Sequence, residues 1–410
     1  MITFPFLQSS QYYLGFRDLN YKNFIYTEEY RKFTTGMASV CIEHLETQEN
    51  ISLLVNADHW IDKEFTKLKN SNKNFKRIGF KGLGSILFSK KILFSKNKYI
   101  VFAYKLIRRI LNLLTSPIDF LLSFISISFI QRNVKWFIHI GGWPAGSRAR
   151  LLILILLILG HRNINLIIHN QPIKKSFISK SFLWSLFLRK YLSNIITVSH
   201  HTKDHLKFYF PEILVINNGI RDLNSKKYIS NLPYIDKSSK KLKLLIISSL
   251  SPLKDTGQAF IELNKVNEMF DISWAGPIDI KYKNSLLLDS KQKVHINFLG
   301  FVKEINELII DNDIIIIPSK RFESFSMVFL ESSMNKRPCI CYESIATSEL
   351  IINNETGWVI KDRPGSLEDK LIEINRLNKN KLLELSNNCR EQFIKKYTSD
   401  KMISQYESLK

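Results

Sequence analysis

The chain has 410 residues, of which 45% are hydrophobic and 23% charged, and its formal net charge is +22. That length accommodates two domains with full cores, and the balance of apolar to charged residues excludes a disordered or fibrous chain. The charge is uneven: residues 65–203 hold 24 Lys and Arg against a single acid, Asp119, and residues 65–118 hold 13 with no acid at all.

The first residues, MITFPFLQSSQYYLG, lack a basic start and a sustained apolar run, so no secretory signal is expected. Residues 23–27 (NFIYT) read as a first strand. Thr34-Thr35-Gly36-Met37 opens a helix that ends near residue 45, and residues 51–55 form a second strand. The basic stretch that follows alternates Lys and Arg with aromatic and aliphatic residues. Such a surface suits anionic lipid head groups, with apolar side chains dipping into the interface; nucleic acid would supply the same attraction, but no nucleic-acid-binding motif accompanies it. The longest uncharged apolar runs, 120–130 and 151–159, are short of the ~20 residues a membrane span needs and read as buried elements.

Strands are expected at 137–140, 166–169 and 194–198 with helices between them, then a helix over 200–210 and a short strand at 213–216. Asn217-Asn218-Gly219 is a turn signal, and the polar stretch 221–241 reads as an interdomain linker. A second strand series runs through 242–247, 272–274, 295–298, 313–317 and 338–342, again with helices between. The last stretch, 391–409, reads as one amphipathic helix. Strand and helix thus alternate twice over, which predicts two α/β domains with parallel sheets. Four cysteines, Cys41, Cys339, Cys341 and Cys389, make no disulfide framework at this length and suit a reducing compartment.

The segment richest in chemistry is 314–340, IIIIPSKRFESFSMVFLESSMNKRPCI. Four isoleucines before Pro318 predict a strand buried on both faces. A loop with Glu323 follows, then a helix from about Ser326 that carries Glu331 some 7.5 Å along its axis at ~1.5 Å per residue. Ligands of open α/β sheets bind at the carboxyl ends of strands. Free N–H groups near Ser326, Met327 and Val328 suit a ligand phosphate whose hydroxyl-bearing groups then reach both glutamates. The bland alternative is two solvated glutamates flanking an ordinary helix.

This segment resembles the E-x7-E stretch of retaining glycosyltransferases of the family 4 type, whose wording is Pro-Ser, a few residues, then E-G-F-G-L-x-x-L-E-A-M-A-x-G-x-P. Here Glu323 to Pro338 reads E-S-F-S-M-V-F-L-E-S-S-M-N-K-R-P: both glutamates, Phe325 and Pro338 match, while Ser324, Ser326 and Lys336-Arg337 stand where glycine is usual. Residues 244–263 resemble the family's strand and V-G-R-L-x-P-x-K-G segment. Lys254 matches the lysine that contacts the donor diphosphate, and Ser249 holds the place of the family arginine, for which Lys320 or Arg321 would be substitute cations. WAGPID and HINFLGFV resemble family segments with a glycine after each strand, here Gly276 and Gly300, and in the family, backbone around the second lines the nucleotide base. FIHIGGWPAGS resembles the segment with an active-site histidine near the donor sugar, making His139 the candidate; His169 ends the next strand. Gly36 is a weak match for the glycine-rich loop after the first strand.

The resemblance implies a GT-B fold: two Rossmann-like domains facing each other across a cleft, with residues 1–220 on the acceptor side, 221–390 binding the donor nucleotide and 391–410 crossing back. It implies a nucleotide-diphosphate sugar as donor, a glycan or lipid-linked acceptor, no cofactor and no metal, in a cytoplasmic enzyme peripheral to the membrane that builds a surface polysaccharide or glycolipid. Lys254, Glu323 and His139 would be catalytic, and Glu331, Ser326, Met327, Val328, Gly300, Gly276 and Gly36 would bind the donor. A rival metal reading rests on Asp311-Asn312-Asp313, a D-x-D triplet. It runs straight into a strand, where Asp313 is expected to be structural. Ser249 keeps open a second reading, a non-catalytic nucleotide-sugar-binding or membrane assembly protein.

Overall fold

In a computed structural model of the chain, residues 127–409 are described except for 145, 173–177, 225–240, 289–294, 303 and 322. Before residue 127 the description covers three strands and scattered helical residues. Gly36 and most of the expected linker lie outside the described residues. The chain divides into two compact units, Met1–Ile196 with Tyr209–Ile213, and Thr197–Phe208 with Leu214–Leu409.

The first unit is built on β1 (Asn23–Thr27), β2 (Ile51–Asn56), β3 (Phe75–Ile78), β4 (Lys135–Gly142), β5 (Ile164–Asn170) and β6 (Asn194–Thr197), with the helices Ser147–Ile158 and Ile178–Tyr191 following β4 and β5. These strands run in the order β3-β2-β1-β4-β5-β6, with parallel pairing of β1 to β2 and β4, of β2 to β3 and of β4 to β5. β3 lies inside the basic stretch, where its charged wording hides the alternation that marks a strand. Five consecutive residues of β4 are buried, as expected of a central parallel strand covered on both faces.

The second unit begins with the helix His200–Leu206, shorter than the expected 200–210. Pro211 disfavours helical backbone at the residue before it, and the chain turns instead. The two-residue strand β7 (Leu214–Val215) leads on to the strands of the second sheet: β8 (Leu242–Ile247), β9 (Phe270–Ala275), β10 (Asn297–Gly300), β11 (Ile314–Ile317), β12 (Cys339–Tyr342) and β13 (Gly357–Ile360). They run in the order β10-β9-β8-β11-β12-β13, parallel throughout the recorded pairings.

The two-residue period of the strands divides the core of this unit into two layers. Leu244, Ile246, Ile314, Ile316 and Ile340 point to one face, against Phe260 and Leu263 of the helix Gly257–Lys265 and Leu367 and Leu371 of the helix Ser366–Asn375. Leu245, Ile315, Ile317, Cys339 and Cys341 point to the other, against Phe329, Leu330 and Met334 of the helix Met327–Met334 and Phe393 of the helix Lys379–Lys396. Each buried isoleucine of β11 contributes roughly 1.5–3 kcal/mol relative to exposure.

The single helix expected over 391–409 is two helices, Lys379–Lys396 and Ser399–Glu407. The break is a β-bridge: the Ile220 N–H donates to Tyr397 O (3.1 Å), and the Ser399 N–H donates to Ile220 O (2.8 Å). Gly219 precedes that bridge, and a Cβ there would stand 2.4 Å from Thr398 O, so the Asn-Asn-Gly wording is fixed by a close backbone approach.

Candidate active site

The second sheet carries the strand order 3-2-1-4-5-6, in which the direction of winding reverses between the first and fourth strands. Ligands of such sheets sit at the carboxyl ends of those strands. In the second unit they are β8 and β11, paired through Leu244 to Ile314 and Ile246 to Ile316, so the loops that leave them run side by side. The Lys320 N–H donates to Lys254 O (3.0 Å), and the hydroxyls of Ser248 and Ser319 are 3.2 Å apart. Lys254 Nζ meets Glu323 Oε2 at 2.8 Å, with the side chains 27% and 18% exposed. The lysine and the first glutamate, 69 residues apart in sequence, thus share one site.

The helix Met327–Met334 starts directly beyond Glu323. Ser326 is its N-cap: the buried hydroxyl accepts from the Phe329 N–H (3.4 Å), while the amides of Met327 and Val328 are too early in the helix to have an intrahelical acceptor. A phosphate here would meet those two N–H groups and the positive end of the helix dipole. Serine at 324 is accommodated because the loop is anchored through its carbonyl, which accepts from Ser199 Oγ (2.7 Å). Ser199 also caps the helix His200–Leu206.

Glu331 is the fifth residue of its helix. Burial pushes its carboxyl up to about 7, so close to neutral pH it is poised between acid and carboxylate and can donate to or accept from a hydroxyl. Gly276 and Gly300 both have positive φ, 139° and 66°, and the Gly276 N–H donates to Gly300 O (2.7 Å). A Cβ on Gly276 would lie 2.1 Å from Ser248 O, so glycine is required there for the loop after β8 to pack. A Cβ on Gly300 would meet nothing within 4 Å.

Ser249 offers no charge. Its hydroxyl lies 3.1 Å from that of Ser251, and its carbonyl accepts from Thr256 Oγ1 (3.2 Å). The two cations expected to substitute for an arginine are already engaged. Lys320 pairs with Asp362 (2.7 Å) and lies over the Tyr342 ring (4.6 Å), while Arg321 pairs with Asp255 (3.0 Å). Asp255, Asp362 and Glu349 carry no motif signal, since each meets its partner from a part of the chain remote in sequence. Glu349 accepts from the His200 and His201 N–H groups (2.8 and 3.0 Å) at the start of the helix His200–Leu206. Its carboxyl is raised by burial and held back by those two bonds.

His139, the candidate active-site histidine, lies in the core of the first unit. It lies in β4 opposite Thr27 and is wholly buried, with its Nδ1 2.9 Å from Nε2 of buried His169 and the rings stacked at 5.2 Å. Burial, then the neighbouring His169 and His44, hold it well below the usual histidine range and hence neutral. The alternation of a central strand turns the ring into the core. Asp313 is structural as read: its carboxylate accepts from the Lys243 N–H (2.8 Å) at the amino end of β11, the end opposite Glu323.

Residues 234–396 match the family model described as Glycosyl transferases group 1. No curated protein matches the chain. Among solved structures, a glycosyltransferase from Rickettsia africae ESF-5 is 16% identical with a TM-score of 0.65, covering 95% of this chain and 97% of that one. Anabaena Alr3699/HepE in complex with UDP and glucose is 14% identical with a TM-score of 0.64, covering 94% and 98%. A TarM mutant from S. aureus, in complex with fondaparinux, alpha-GlcNAc-glycerol and UDP, is 13% identical with a TM-score of 0.63, covering 95% and 99%. The fold of this chain, two parallel-sheet α/β units, is that of GT-B glycosyltransferase structures.

Proposed function

We propose that the chain, whose second unit carries a glycosyl transferases group 1 domain, is a retaining, metal-independent glycosyltransferase. It moves a hexose from a nucleotide-diphosphate sugar to a glycan or lipid-linked acceptor in surface polysaccharide or glycolipid synthesis. The observation that carries this reading is the meeting of Lys254 and Glu323 (2.8 Å) at the winding reversal of the second sheet, next to the open helix start at Met327 and Val328. Lys254 and the two amides stabilise the diphosphate as negative charge grows on the leaving oxygen. Glu323 holds donor-sugar hydroxyls, Glu331 holds the ribose, and the leaving phosphate itself takes the acceptor proton, so no protein nucleophile is used. Metal independence is supported by Asp313, which spends its carboxylate at the far end of the strand.

Calorimetric titration of UDP, GDP, ADP and CMP without metal tests the site. UDP is the first to try, since the HepE and TarM structures hold it. Selective binding of one diphosphate, lost in Glu331→Ala, is the expected result; no binding by any of them would overturn the reading. A non-catalytic sugar-nucleotide binder is favoured by one feature, the absence of a cation at Ser249. Sugar transfer by the purified protein decides between the two.

The membrane side of the proposal rests on the first unit. Tyr99, Phe102, Leu106 and Ile107 are helical and are 85%, 68%, 48% and 44% exposed, inside the stretch that holds 13 Lys and Arg and no acid. That pairing of apolar and basic residues suits an anionic bilayer surface and, with it, a lipid-linked acceptor.

A further inference from the structure

The loops that leave β8 and β11 contain three Lys or Arg residues, and each is matched by a carboxylate: Lys254 by Glu323 (2.8 Å), Lys320 by Asp362 (2.7 Å) and Arg321 by Asp255 (3.0 Å). With Ser249 adding no charge, the three positive groups of these loops are balanced by two carboxylates of the loops themselves, Asp255 and Glu323, and by Asp362, which follows β13. A site for a phosphate dianion is expected to present surplus positive charge; among their described residues these two loops hold none that lacks a carboxylate partner. The three pairs also differ in kind. Asp255 and Asp362 lie outside the loop-to-helix segment that holds the glutamates, whereas Glu323 stands three residues before the N-cap of the helix whose first amides face the ligand.

We propose that Glu323 sets the specificity of this site for sugar-bearing nucleotides over bare nucleoside diphosphates, by occupying Lys254 until a sugar draws it away. The inference rests on the donor-site reading above. When a nucleotide sugar enters, its diphosphate takes Lys254, and the displaced carboxylate accepts hydrogen bonds from sugar hydroxyls, so one set of partners replaces another. When a bare diphosphate enters, the displaced carboxylate finds no hydroxyls and faces the terminal phosphate as a like charge. The site therefore binds donor and releases product with the same residue. No bond is made or broken in this exchange; only ion-pair partners change.

The test compares wild type, Glu323→Gln, Glu323→Ala and Lys254→Met, each first shown to melt cooperatively. Calorimetry would use UDP and GDP as probes, then a panel of UDP- and GDP-hexoses. Removing the carboxylate is expected to tighten the bare diphosphate by about three- to fivefold, the scale of a partly buried ion pair. The same change should erode the preference for the sugar-bearing form by at least as much, and product inhibition should deepen in parallel. Lys254→Met should weaken both ligands. Both Glu323 variants must move together, so a folding defect in one does not decide the matter. Equal or weaker diphosphate binding in both Glu323 variants, with Lys254→Met still weakened, overturns the proposal while leaving the donor site standing. No nucleotide binding by wild type or by either Glu323 variant overturns the donor site itself.

Discussion

Glu331 shows how one residue trades stability for binding. Its carboxyl sits at about 7 in the folded chain, raised by burial, against an ordinary value of 4.5. A folded-state value above the unfolded one means that the native protein prefers the protonated form. The group therefore costs nothing below pH 4.5 and becomes progressively destabilising as pH rises from 4.5 to 7. Glu331→Gln should leave stability near pH 4 unchanged and raise it by about 1–2 kcal/mol at pH 8, a gain limited by the part of the residue that solvent still reaches. Urea unfolding at the two pH values measures this, and donor KM should rise in the same variant. Lys336 carries a second cost. It stands where the resembling family has glycine, and its φ is +58°. Left-handed backbone costs a residue with a Cβ about 1 kcal/mol, so Lys336→Gly should raise the unfolding free energy by that amount in urea titration without touching activity. Both positions were legible in sequence because the E-x7-E wording is local. Asp255, Asp362 and Glu349 were not, because what each does depends on a partner that only folding brings near.

At the scale of elements, what the sequence told best was what two-residue periodicity encodes. Four isoleucines mark β11 because helices cover both of its faces, and the winding reversal beside it follows from the order of strands. β3 was missed because Lys and Arg replace apolar residues along it, and the break at Tyr397-Thr398 was missed because Ile220, far earlier in the chain, supplies the bridge that makes it. A motif places a residue along a strand, while pleat and neighbours decide which way it faces, as at His139. The consequence is a buried set of three imidazoles, His44, His139 and His169, with His44 edge-on to Phe137 at 4.9 Å. Burial holds His44 and His169 at about 3, against 6.5 for a free histidine. Folded values below unfolded ones make stability highest above pH 6.5 and lower it as pH falls toward 3, by ~1.4 kcal/mol per pH unit for each histidine. The melting temperature should therefore drop steadily between pH 6.5 and 4.5. His44→Phe, which keeps the ring but removes one titrating group, should flatten that slope; an unchanged slope would mean that the set is already protonated in the native state.

Across the whole molecule, all of the excess positive charge belongs to residues 65–203, and the exposed apolar residues of residues 99–107 belong to the same stretch. Tyr99, Phe102, Leu106 and Ile107 recur at i, i+3, i+7 and i+8, the spacing that gathers side chains on one face of a helix. The two contributions to bilayer binding respond differently to salt. Attraction of Lys and Arg to anionic lipid is worth ~1 kcal/mol per residue near the surface and fades as the Debye length shrinks from ~10 Å at 0.1 M to ~3 Å at 1 M. Apolar insertion persists in salt. Vesicles containing phosphatidylglycerol should therefore bind the protein tightly at 0.05 M salt and weakly at 1 M, and neutral phosphatidylcholine vesicles weakly at both. Phe102→Ser with Ile107→Ser should lower binding about tenfold or more at either salt, since each side chain forfeits a share of the roughly 1.5–3 kcal/mol that burial of such a group provides. Nucleotide titration of the same variant should be unchanged, because the donor residues belong to the other unit. If anionic vesicles fail to bind wild type at low salt, the basic stretch is only a solvated surface and the lipid-linked acceptor loses its physical support.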